Sequence, residues 1–385
     1  MIGATSSTAR YRGLTWDHPR GRLALERAAE TATDGAGAPL IEWDVHSLEG
    51  FESAPIEELA ERYDVIVLDH PHLGDALAGD AIRPLDEVFP LSFVDEVRAG
   101  AVGPSTASYT LDGRLWALPL DAATQVAVRV PELVAAPPQT WDEVVELSKT
   151  APVALSLAGP HAFLSFASIC VALGAEPAVE PGGSLVDRVV GAQAFGLMAE
   201  LAARVPEGSA DLNPIGLLER MRRDRDVAYI PLVYGYVNYA SAEGALCFDD
   251  APAAVAGGRR GSTIGGTGIA ISTRCTPDAA LIAHLAGLLA PDAQRTFIPD
   301  NAGQPGLRSA WVDDAVNAAS GDFYRGTLAT IEDAWVRPRV PGYIPFQSEA
   351  SAVLRRALLE GGSAEAALAE LDRAFDALAR ERSVL

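Results

Sequence analysis

Two stretches of this chain each carry an acid and an imidazole to the end of an apolar run. In Tyr63–His72, YDVIVLDHPH, the run Val65–Leu68 stops at Asp69-His70-Pro71-His72. In Arg12–Trp16, RGLTW, the run stops at Asp17-His18-Pro19. A carboxylate beside an imidazole stabilises the protonated ring, so such a pair can move a proton at a reacting centre. The same groups can simply hydrogen-bond a ligand. Plainer roles compete at each place: Asp17 can cap the helix that follows it, and Asp69 can close a loop stiffened by Pro71. On an open crevice, replacing His18 or His70 is expected to leave folding nearly intact. A metal site would need three converging ligands drawn from His18, Asp69, His70 and His72. No His-x-x-x-His helix and no Cys-x-x-Cys supports one, and no metal is expected.

Other residues suit recognition. Asp121, near Trp116 and Thr124, offers a carboxylate able to accept two hydroxyls, or serves as a structural Asp. Tyr234-Gly235-Tyr236-Val237-Asn238-Tyr239 suits a stacking and hydrogen-bonding wall, or a packing cluster. Gly265-Gly266-Thr267-Gly268 lets a backbone approach a ligand or bend. Its spacing does not fit a phosphate loop, and no lysine follows. Gln304 and Arg308 lie in GQPGLRSAW, where Arg308 could hold a carboxylate bidentately or pair with surface acids. His161 opens a helix after Gly159-Pro160, facing a crevice or lying on the surface. His46 and His284 are placed on surfaces, and Trp335, Arg337 and Arg339 form an exposed-looking segment with no assigned target. No G-x-S-x-G elbow, HExxH or cofactor fingerprint is present, so neither a nucleophile nor a cofactor is assigned.

The elements that must position these residues alternate in type. A strand to Trp16, a helix over 22–32, a strand at Pro39–Asp44, a helix at Ile56–Glu61 and the strand Val65–Leu68 form a βαβαβ rhythm, hence a parallel sheet. Ligands bind outside the carboxyl ends of such strands, where both Asp-His pairs fall. Leu115–Leu120 and Thr124–Val130 read as two runs interrupted by Asp121-Ala122-Ala123. Thr140 with Glu143 forms a capping box, and Asn213-Pro214 opens a helix. Strands are expected at Val153–Ser156, Ala228–Val233 and Ile269–Ser272, and helices over 162–173, 190–203 and 364–380.

The 385 residues are 49% apolar and 21% charged, enough for two cores. A formal charge of −22 repels nucleic acid and anionic membranes, so no nucleic-acid partner is expected. Lys149 is the only lysine. Cys170, Cys247 and Cys275 are too sparse for a disulfide framework, and Cys170 in FLSFASICVALG reads as core. The opening MIGATSSTAR has no basic region leading into an apolar stretch and no cysteine for lipid attachment. No run approaches the roughly 18 apolar residues that span a bilayer. The expectation is a cytoplasmic protein without membrane insertion.

Four landmarks resemble the carbohydrate-type extracellular solute-binding proteins of ABC importers, the maltose-binding-protein-like class. They are YDVIVLD; GRLWALPLDAATQVAVRVPELV followed by PPQTWDEVVELSK; GGTGIAIST; and GQPGLRSAW. The resemblance implies the α/β two-lobed periplasmic-binding-protein (Venus-flytrap) fold with hinge-crossing strands. Lobe 1 would take residues 1–120 and about 270–312. Lobe 2 would take 121–262 and about 313–385, with the hinge near 120–123 and 263–270. It implies a small polar ligand, sugar-like or carboxylated, captured in an inter-lobe cleft by hinge closure. Ligand contacts would come from Trp16, Asp17, His18, Asp69, His70, Trp116, Asp121, Tyr234, Tyr236, Gly266, Thr267, Gln304 and Arg308. The chain departs from the family in lacking a leader, so an ABC permease partner does not follow. It also replaces several stacking aromatics with Asp-His pairs. The alternative is an enzyme on the same fold, an isomerase, lyase, cyclase or hydrolase working through His18, Asp69 and His70.

Overall fold

Short apolar strands carry the first part of the chain: β1 (Tyr11–Trp16), β2 (Ile41–His46) and β3 (Val65–Leu68). They are followed by the two-residue strands β4 (Thr110–Leu111) and β5 (Arg114–Leu115) and the long β6 (Leu118–Arg129). Then come β7 (Tyr229–Tyr234), β8 (Cys247–Asp249) and β9 (Ile264–Ile271). The computed structural model describes residues 9–241 and 244–382. The chain forms two units, Met1–Ala122 with Gly266–Val316, and Ala123–Gly265 with Asn317–Leu385. It passes from the first unit to the second within β6 and back within β9.

In unit 1, β1 pairs in parallel with β2 and with β3, and β3 pairs antiparallel with β9. Every residue of β3 is buried, as expected of a parallel strand covered on both faces. Helix α1 (Pro19–Ala29) starts on a proline, whose missing N–H costs nothing there. Gly21 lets this first turn lie against Trp16: a Cβ at Gly21 would stand 2.2 Å from the indole Nε1. A short helix, α2 (Leu48–Ser53), follows β2.

In unit 2, β6 pairs antiparallel with β7 and β8. The helix His161–Ala172 is buried at all twelve positions, as its predominantly apolar sequence requires. Phe163 meets Phe346 edge-on, and Phe346 tilts against Phe375, joining this helix to Tyr343–Glu360 and Ala364–Arg382. Each fully buried phenylalanine contributes about 1.5–3 kcal/mol. The two serines of the buried helix are bonded. Ser168 donates to Gln125 Oε1 at 2.6 Å and lies 3.0 Å from Thr263 Oγ1, while Gln125 Nε2 donates to Ser165 at 3.3 Å. Thr124 and Ser262 share a hydroxyl contact in the same network. Buried polar groups are tolerable only when satisfied in this way.

Several elements differ from expectation. Leu118–Arg129 is one continuous strand, because Asp121 is neutralised by Arg20 and does not break it. Val153–Ser156 makes a single bridge to Tyr229 instead of a strand. The glycines Gly265, Gly266 and Gly268 lie inside β9, where the side chain of Tyr234 occupies the Cβ position of Gly265 and those of Ala117 and Tyr109 occupy that of Gly268. Trp335 and Arg337 are 3% exposed, so their segment is interior. Its backbone explains why: Trp335 N–H donates to Ser262 O and Ile264 N–H to Trp335 O. The capping box at Thr140 and the Asn213 cap form as expected, and Cys170 is core. Among the described residues no helix is long and apolar enough to cross a membrane.

A Cβ at Gly261 would stand 1.9 Å from the carbonyl oxygen of Ser168, a backbone atom that cannot swing aside. Gly261→Ala should therefore destabilise unit 2 by at least about 1–3 kcal/mol through overpacking. A chemical-denaturation midpoint equal to wild type would contradict this close approach.

Candidate functional site

Because β1, β2 and β3 run parallel, their carboxyl ends share one edge of unit 1. Four of the six histidines, His18, His46, His70 and His72, lie on or just beyond that edge. Asp17 is exposed and lies 3.2 Å from Arg22 Nε. The cap of α1 is His18, whose Nδ1 accepts the N–H of Arg20 at 3.1 Å. With Nδ1 accepting, the neutral ring carries its proton on Nε2. The ring stacks on Trp16 at 5.2 Å and 8°. Trp16 is only 2% exposed, so it supports His18 from below.

The second pair is tighter. Asp69 Oδ1 accepts the backbone N–H of His70 at 2.8 Å and lies 3.0 Å from His70 Nδ1. Asp69 thereby caps the 3-10 turn His70–His72. His70 is 0% exposed and meets Tyr109 edge-on at 6.2 Å. The tyrosine hydroxyl donates to Leu68 O at 3.1 Å. The expected open position of His70 is thus corrected, since its ring fills the interior beside β3. Surface placement of His46 is corrected too: it is half-buried against Phe51.

Asp121 is 4% exposed and is gripped by Arg20, which donates through Nε at 2.9 Å and through Nη2. The backbone N–H of Gln304 also points at it, at 3.4 Å. Gln304 is fully buried, and its amide donates to Ala122 O at 3.0 Å. Trp116 is half-buried under Arg114, and its indole N–H donates to Leu111 O. Arg308 is exposed at the start of a one-turn helix. Gly266, at φ +96°, and Thr267, 3% exposed, lie within β9.

In unit 2 the half-buried aromatic is Tyr234, at the end of β7. Its ring lies on Gly265, where a Cβ would stand 2.6 Å from Cε1. His161 meets it edge-on at 5.9 Å. His161 is 3% exposed, neither on the surface nor on an open face. Burial first, and the charge of Arg337 second, push its pKa down to about 3, so the imidazole is neutral. Arg337 donates to Gln347 Oε1 at 3.1 Å and to Ile264 O at 3.3 Å. Tyr236 is 5% exposed and packs edge-on against Tyr239. Tyr239 donates to Glu219 at 2.9 Å, and burial followed by that carboxylate raises its pKa.

Unit 1 therefore gathers Trp16, Asp17, His18, Asp69 and His70 at one sheet edge, with Asp121 and Gln304 behind a buried arginine. Tyr234 and Tyr236 belong to unit 2. Sequence reasoning missed Arg20, Phe51, Tyr109 and the burial of Arg337. A carboxylate buried at Asp121 demands a cation, but nothing in the sequence marks a partner 101 residues away.

No family model matches the sequence, and no curated protein matches it. Solved structures do. A solute-binding protein of an ABC transporter from Agrobacterium radiobacter K84, in complex with ribitol, is 19% identical with a TM-score of 0.78, over 96% of this chain and 98% of that one. Maltose-bound MalE3 of T. maritima is 18% identical with a TM-score of 0.75, over 96% and 99%. A cyclic alpha-maltosyl-1,6-maltose binding protein from Arthrobacter globiformis is 16% identical with a TM-score of 0.74, over 95% and 97%. This chain has the two-lobed α/β fold of those proteins.

Removing one partner of a buried ion pair strands the other. Arg20→Met or Asp121→Leu alone should cost about 3–5 kcal/mol, and the double variant should recover most of it. Urea denaturation checks this, and additive losses in the double variant would contradict the pairing. His161 gives a pH signature. Its folded pKa lies below the ordinary imidazole value, so its contribution is complete above about 6.5 and is lost as pH falls. Going from about pH 6.5 to 5 should cost unit 2 about 2 kcal/mol, and His161→Phe should remove that slope. An unchanged slope would count against a neutral buried His161.

Proposed function

We propose that this protein is a solute-binding protein that captures a small polar, sugar-like molecule. The supporting observation is a fold shared along nearly the whole chain with proteins solved bound to ribitol and to maltose. The ligand contacts proposed in unit 1 are Asp17, as acceptor, and His18, as donor through Nε2. Unit 2, taken by itself, presents the half-buried ring of Tyr234. Trp16, Asp121 and Gln304 act behind Asp17 and His18, because their polar or ring surfaces are already engaged within unit 1. A neutral, hydroxyl-rich ligand suits the donor and the acceptor that unit 1 presents side by side.

One observation favours the acid/base alternative, the 3.0 Å contact between Asp69 and His70. Against it, the ring is fully buried and the carboxylate already fixes the turn. Mass spectrometry of the molecule before and after incubation separates the two, since conversion would favour catalysis.

Titration calorimetry with ribitol, maltose and tagatose should give saturable binding of at least one. Asp17→Ala and His18→Ala should each weaken it by about 1–3 kcal/mol. No saturable binding of any polyol or saccharide, or wild-type affinity in both variants, would overturn the assignment.

A further inference from the structure

At the edge of unit 1, His46 and Phe51 join Trp16 in a cluster of rings. His46 ends β2 in register with Trp16, which ends β1. Phe51 of α2 packs on both, 5.7 Å from the Trp16 ring and 6.1 Å from the His46 ring, edge-on at 83°. His72 reaches the same helix from the turn after β3, with Nε2 3.2 Å from the carbonyl oxygen of Phe51. None of the six residues of α2 is fully buried, and Phe51 anchors it through its ring contacts with Trp16 and His46. Trp16, under Phe51, is also the ring on which His18 stacks.

We propose that His46 and His72 form an acid-sensitive latch on α2, in which neutral His46 holds Phe51 against Trp16, His72 tethers the helix through the Phe51 carbonyl, and protonation of His46 frees it. Charging His46 is costly for two reasons. Its Nε2 is buried and meets no hydrogen-bonding atom among the described residues. The new cation would also face His72, whose ring acts on it electrostatically. Other ionisable groups on the surrounding elements include Asp17 and His18 after β1, Arg20, Arg22 and Glu26 on α1, Glu42 and Asp44 on β2, Glu49 and Glu52 on α2, and Asp69, His70 and Asp75 around His72. Arg22 is shared between Asp17 and Glu26 at 3.2 and 3.0 Å, which ties those charges to one another.

Burial first, and His72 second, hold His46 below the ordinary imidazole range. The closed latch is therefore fully stable above about pH 6.5 and weakens as pH falls below it. Opening would loosen the floor under His18 without unfolding the sheet. The latch needs no ligand, so it stands or falls separately from the binding assignment.

Amide hydrogen exchange of residues 48–53 in the full chain tests it, with rates corrected for their intrinsic pH dependence. Below about pH 6.5 the opening equilibrium should grow by up to roughly tenfold per pH unit, one proton per opening. His46→Phe should lose that slope. His72→Gln keeps a donor for the Phe51 carbonyl but removes the facing imidazole, so the NMR titration of His46 should shift upward. A slope that survives in His46→Phe overturns the latch. So does a wild-type His46 that titrates at or above the ordinary range, a measurement that decides the matter even if His46→Phe fails to fold.

Discussion

A charge inside a protein has to be answered, and in unit 1 that answer is the Arg20–Asp121 pair. Both side chains are almost fully buried. Arg20 sits in the first turn of α1, directly after β1, so the pair ties the carboxyl edge of the sheet to β6. Asp121 in turn can lie within a continuous strand, because its charge is balanced where it lies. The segment around Gln304 then closes on the same place, bonding its backbone to Asp121 and its amide to Ala122. The guanidinium also sits 5.8 Å over Trp16, which carries His18. One buried ion pair thus sets the start of α1, the run of β6 and the platform beneath the candidate contact. Buried pairs seldom add net stability over apolar replacements, but they penalise every arrangement that separates them.

In unit 2 a network of neutral groups meets much of the same demand. Gln125, Ser165, Ser168, Thr263, Thr124 and Ser262 exchange hydrogen bonds among themselves and with backbone carbonyls. Gly261 permits the close approach that brings them together. Nearby, His161 and Arg337 share the interior because the imidazole gives up its proton. Neutral donors and acceptors need only geometry, whereas an unneutralised ion would need far more.

The Asp-His pairs were visible as strand-end residues, and their place at one sheet edge follows from the parallel pairing of β1 and β3. Their individual roles were not visible. His18, not Asp17, caps α1. Asp69 is bound to the turn it starts, and His70 fills space beside Tyr109. Which neighbour a polar side chain finds is decided partly by the local turn, as for His18 and Asp69, and partly by packing from afar, as for His70 against Tyr109.

What the sequence by itself determined is local and periodic. Four apolar residues ending in Asp69 made β3, Thr140 with Glu143 made a capped helix, and an unbroken apolar run made the buried helix around Cys170. The order of its landmarks also pointed to the two-lobed fold. Only the tertiary structure decided that Asp121 would find Arg20, that β6 would run unbroken, that glycines would form β9, and that Trp335 and Arg337 would be interior. The physical reason is the range of the forces involved. Propensity, capping and hydrophobic period act within a few residues, while burial and charge pairing depend on groups that only the folded chain brings into contact.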